Sequence, residues 1–99
     1  MKELDGYRVG SKGIEFYEVR RFSYLVDVGS ESCQIPINLF DYLHAPAYIH
    51  RYLSIVDYES MDDDTREIWG TYDAHGNGDT PQVTINTTIR MIEMHLASR

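Results

Sequence analysis

The sequence predicts a small single-domain α+β protein. A small antiparallel sheet, made from an N-terminal hairpin and a C-terminal strand, carries two or three short helices packed on one face. Three observations predict it. Apolar and polar residues alternate through much of residues 14–28, apolar residues recur at helical spacing between 38 and 72, and β-branched residues alternate again after 82. The 99 residues suffice for one modest core. An apolar content of 42% and a charged content of 25% are those of a folded domain rather than a disordered one.

Residues 7–10 and 14–16 flank Ser11, Lys12 and Gly13 as the arms of a hairpin, with Gly13 free to take positive φ. The second arm is long. Ile14 and Phe16 alternate with Glu15, and Phe22, Tyr24, Val26 and Val28 alternate with Ser23 and Asp27. Glu18, Arg20 and Arg21 interrupt the apolar face, which predicts a bulge near Arg20 and Arg21. A turn there is disfavoured because Arg-Arg is poor turn chemistry. Residues 29–32 end the strand.

A helical hairpin is expected next. Asn38 caps its first helix, with Leu39, Phe40 and Leu43 as the apolar side. Pro46 opens its second helix, where Ile49, Tyr52, Leu53 and Val56 fall at i, i+3, i+4 and i+7. A further helix starts at Ser60, which approximates a capping box with Asp63, and ends at Gly70. Asp62, Asp63 and Asp64 then occupy its first turn, each stabilising the positive end of the helix dipole by ~0.3–1 kcal/mol. Met61, Thr65, Ile68 and Tyr72 keep helical spacing.

Residues 73–81 carry every turn signal. Residues 82–91 fit two templates. As a strand, Val83, Ile85, Ile89 and Met91 share a face with Thr87; as a helix, Ile85, Ile89, Ile92 and Leu96 form a stripe with a start at residues 79–82. The density of Thr and Ile favours the strand.

The net charge is −7, and residues 57–79 alone account for it: eight acids against Arg66. Such a field repels nucleic acid and anionic membranes and attracts basic surfaces. Asp63, Asp64 and Glu67 share a helix face, and Arg66 is spaced to pair with Asp62 or Asp63. Consecutive Asp residues fan out by ~100° on a helix, so they form a patch and not a phosphate-like row. The expected partner-binding surface is Asp57, Glu59, Asp63, Asp64 and Glu67, with Tyr58, Trp69 and Tyr72 as aromatic anchors.

Catalytic motifs are lacking: no P-loop, dinucleotide fingerprint or nucleophile elbow occurs, and no cofactor is implied. Asp73, His75, Asn77 and Asp79 imitate the first half of a calcium loop, but His stands at the third position and Thr84 at the twelfth. A surface loop is the better reading. His44, His50, His75 and His95 have no zinc-ligand spacing, and Cys33 has no near partner, which predicts a structural thiol. The first residues carry no apolar leader and no stretch reaches the ~20 apolar residues of a membrane span, so cytoplasmic residence is expected.

The function expected is that of a non-enzymatic inhibitor that occludes a basic, nucleic-acid-binding surface of its partner. Its size and charge are similar to those of small acidic phage anti-defence proteins, anti-CRISPR proteins among them, and of immunity proteins. That likeness is one of charge and not of motif. The alternative is a self-associating structural or accessory subunit held by Tyr and β-edge contacts, and a third reading is a metal-loop protein or small enzyme.

Overall fold

The computed structural model describes residues 2–12, 15–43 and 50–98, with side chains from residue 17 onward. Five strands form an antiparallel meander in chain order: β1 (Lys2–Lys12), β2 (Glu15–Val28), β3 (Glu31–Tyr42), β4 (Tyr52–Val56) and β5 (His75–Gly78). A 3-10 turn (Tyr58–Ser60) and helix α1 (Asp63–Trp69) separate β4 from β5, and helix α2 (Pro81–Ala97) follows β5. The α+β class and the antiparallel sheet are as the sequence predicts. No helix among the described residues is long and apolar enough to cross a membrane.

The N-terminal hairpin forms as expected, although Gly13 and Ile14 at its tip lie outside the described residues. β2 is one long strand whose register with β3 runs without interruption from Tyr17↔Tyr42 to Val28↔Glu31. The bulge expected in β2 falls instead on β1, whose register shifts between Glu3 and Asp5 and again between Asp5 and Arg8. β2 is held by ladders on both sides, whereas β1 is an edge strand and can take up extra residues. Gly29, at φ +63°, makes the tight turn into β3.

The helical hairpin predicted over 38–56 is overturned. Asn38, Leu39 and Phe40 belong to β3, and Tyr52, Leu53 and Val56 to β4; Pro46 and Ile49 lie outside the described residues. The cause is non-local. β3 has a ladder on each side, with β2 and β4, and these satisfy backbone groups that a helix would have satisfied within itself. Pro36 is tolerated because its missing N–H faces the β4 side, one residue before that ladder begins at Ile37↔Val56; its carbonyl accepts from Asp57 N on that side at 2.9 Å.

One face of the sheet is the core. Cys33, Ile35 and Ile37 of β3 are buried there with Val56, Met61, Trp69, Ala74, Ile92 and Leu96, and Phe22, Tyr24, Val26 and Val28 of β2 pack against them. Each fully buried Ile or Leu contributes about 1.5–3 kcal/mol. The β2 alternation read from the sequence thus faces the helices.

The strand predicted over 82–91 is also overturned: these residues are helix. The cap decides it. Thr80 Oγ1 accepts from Val83 N at 3.2 Å, and Pro81 occupies the first turn, where its missing N–H costs nothing. Threonine is accommodated by back-bonding: Thr84 Oγ1 donates to Thr80 O at 2.8 Å and Thr87 Oγ1 to Val83 O at 3.0 Å. The expected loop likewise contains β5. Its glycines serve close approach, since a Cβ on Gly76 would lie 2.7 Å from Thr84 O and one on Gly78 2.6 Å from Thr84 Oγ1. Helix α2 therefore rests directly on the backbone of β5. Beneath it, buried Ser54 Oγ donates to Thr84 O at 3.0 Å and also meets Thr88 Oγ1.

Candidate functional site

The acidic surface is built on the 3-10 turn and α1. The helix starts two residues later than predicted. Asp62, and not Ser60, is the N-cap, its Oδ1 accepting from Thr65 N at 2.7 Å. That hydrogen bond lowers the Asp62 carboxyl pKa. Gly70, at φ +76°, ends the helix as expected. Met61, Thr65 and Trp69 recur every four residues and are buried. The same periodicity turns Asp63, Asp64 and Glu67 outward, and all three are exposed together with Glu59. The Asp63 side chain is 99% exposed.

Arg66 does little to cancel this charge by direct pairing. Its Nε donates to Tyr58 O at 3.2 Å and its Nη2 to Glu59 O at 2.6 Å, while its guanidinium lies 5.4 Å from the centre of the Tyr58 ring. The nearest carboxylate contact, to Asp63, is long at 3.7 Å. The arginine clamps the 3-10 turn to α1 and holds the Tyr58 ring, which is 44% exposed.

Two predicted site residues do structural work. Asp57 pairs with Arg21 at 2.9 Å and accepts from Ser60 Oγ at 2.6 Å and Asn38 Nδ2 at 3.3 Å. It ties the chain after β4 to β2 and β3. Trp69 is 0% exposed, and its Nε1 donates to Tyr72 O at 2.7 Å, so it belongs to the core and not to a partner surface. Tyr72 is 40% exposed and stacks on His95 at 4.3 Å. Of the residues expected at a partner surface, Glu59, Asp63, Asp64, Glu67, Tyr58 and Tyr72 are the ones that are exposed.

The calcium-like stretch does not wrap around a point. His75, Gly76, Asn77 and Gly78 are drawn straight by pairing with β4; Asp73 is exposed before the strand and Asp79 pairs with His50 at 3.0 Å after it. Among the described residues, no group of three or more His, Cys, Asp or Glu side chains is placed to hold a metal. His95 is held by Trp69 O at 2.6 Å, and His44 lies outside the described residues. Cys33 is buried, which raises its thiol pKa, with Glu31, Asp62 and Asp27 adding to the shift.

Sequence reasoning missed a small cleft of about 110 Å³ lined by Glu18, Arg20, Leu39, Asp41, Tyr52 and Pro81. Glu18 and Asp41 stand directly opposite each other on β2 and β3, an arrangement that needs a cation nearby. Arg51 supplies one, donating to both Asp41 carboxylate oxygens at 2.7 and 3.1 Å. That hydrogen bond and the Asp41 charge raise the Arg51 pKa further. No sequence spacing could have announced the cleft, because three elements and the start of α2 assemble it.

The chain matches no protein-family model, and neither the curated proteins nor the solved structures give a significant match.

Proposed function

We propose that this chain is a non-enzymatic binding module that docks the 3-10 turn and α1 onto a basic protein surface, such as a nucleic-acid-binding site that it would occlude. One observation carries the reading: the only base between residues 57 and 79, Arg66, is spent on backbone carbonyls, which leaves Glu59, Asp63, Asp64 and Glu67 exposed. Tyr58 and Tyr72 supply amphipathic rings on the same segment. Carboxylates of this kind steer association and set its salt dependence.

The test is affinity capture from the native host with wild-type bait and with the triple variant Asp63→Asn, Asp64→Asn, Glu67→Gln. The expected result is a set of basic proteins retained by wild type at about 0.05 M salt, released at about 0.5 M, and not retained by the variant. A partner held equally by both baits at high salt would show that docking occurs elsewhere.

A further inference from the structure

We propose that two copies of this chain join along β1, antiparallel across a two-fold axis, so that two five-stranded sheets become one continuous sheet. β1 (Lys2–Lys12) ends the strand order and, among the described residues, pairs on one side only, with β2. An edge of 11 residues presents a row of backbone N–H and C=O groups that the sheet itself does not use. Its register with β2 is regular from Arg8 to Lys12 and shifts between Glu3 and Asp5 and between Asp5 and Arg8, so a reversed copy sets the regular half of one strand against the bulged half of the other.

The order of charges selects a second copy as the occupant. Glu3 and Asp5 lie in the first half of β1, and Arg8 and Lys12 in the second; Lys2, at the outer end, is the one charge outside this order. A reversed copy sets the acidic half of one strand against the basic half of the other, while a parallel copy would set like on like. The strand is thus self-complementary in the orientation that a two-fold axis imposes. Long-range repulsion is limited as well, because the net charge of −7 resides in residues 57–79 and the remainder of the chain sums to zero. The assembly closes at two. Its outer edges are the two β5 strands, each four residues long and packed against α2 through Gly76 and Gly78.

This dimer uses neither α1 nor its acids, so its failure would leave the docking reading intact. Sedimentation velocity at about 0.15 M salt is the primary test, over a concentration series reaching about 100 µM. The wild type is expected to dimerise. The variants Arg8→Glu/Lys12→Glu and Glu3→Lys/Asp5→Lys are each expected to weaken dimerisation about tenfold or more, and to pair with each other when mixed. Circular dichroism checks that each folds. Hydrogen exchange on the wild type gives an independent reading, with β1 amides expected to gain protection as concentration rises. A wild type that stays monomeric, reversed variants that dimerise as the wild type does, folded variants that fail to pair on mixing, or β1 protection that ignores concentration would each overturn the proposal.

Discussion

The helix layer meets the sheet in two different ways at its two ends. Around Cys33, Ile35 and Ile37, the side chains of Trp69, Ile92 and Leu96 fill the space, and stability comes from buried apolar area. Around Gly76 and Gly78, Thr84 and Thr88 lie almost on the strand backbone, and the polar atoms between them are satisfied by Ser54 and by main-chain carbonyls. The first contact is weakened by removing atoms. The second is weakened by adding them. A single small protein thus carries two opposite rules for which substitutions it will bear.

Substitutions at the two ends separate these two rules. Trp69→Ala is expected to cost the most, about 3–5 kcal/mol in urea unfolding, because the ring is wholly buried. Gly76→Ala is expected to cost about 1–3 kcal/mol although it adds only a methyl group, since the new Cβ would lie 2.7 Å from a backbone carbonyl that cannot swing aside. Ile92→Val removes a methylene at the apolar end and is expected to cost less, about 0.5–1.5 kcal/mol. If shrinking Ile92 hurt more than enlarging Gly76, the proposed difference between the two ends would be wrong.

Smaller effects belong to the cap and the outward side of α1, away from Trp69. The Thr65 N–H holds the Asp62 carboxyl pKa below its ordinary value. The ionised cap therefore stabilises the fold above the unfolded-state pKa, and that contribution fades as pH falls through the lower folded-state pKa. Asp62→Asn keeps a cap acceptor and should flatten this acid limb, which melting temperatures from neutral pH to about pH 2 would reveal. The triple change at Asp63, Asp64 and Glu67 should move stability by about 1 kcal/mol or less, because the dipole stabilisation lost with Asp63 and Asp64 in the first turn is offset by relief of repulsion among the three exposed carboxylates. A large loss there would mean that the acids serve the fold before they serve a partner.

Local rules made α1 legible in the sequence: Met61 and Thr65 on the inner side, Gly70 as terminator and acids in the first turn all survive in the structure, whereas Trp69 is buried and Tyr72, which the sequence stripe included, is exposed. The alternation of Phe22, Tyr24, Val26 and Val28 survived for the same reason, since a strand with one buried face writes period two directly into its residues. Residues 38–56 were misread because short apolar runs satisfy both periods. Leu53 and Val56 fit i and i+3 on a helix, yet they lie on opposite faces of β4. The glycines of β5 were misread because turn formation and close packing use the same residue. In α2, threonines counted as β-formers bond back to the preceding turn. As for the site, exposure of Asp63, Asp64 and Glu67 follows from helical period alone. The pairing of Asp57 with Arg21, 36 residues away, does not, nor does the burial of Trp69.

The strand order, which repeats the chain order, has a consequence for how the protein is made. Each strand can pair with the one already synthesised, so the sheet can assemble as the chain leaves the ribosome. Ile92 and Leu96, which help close the core over β3, come last. Cys33 lies within that core at 1% exposure, so its thiol is a built-in clock for this final step. Nascent chains stalled before α2 emerges should alkylate readily at Cys33, and chains long enough to release α2 should not. Protection that arrived before α2 would show that the thiol is buried without Ile92 and Leu96.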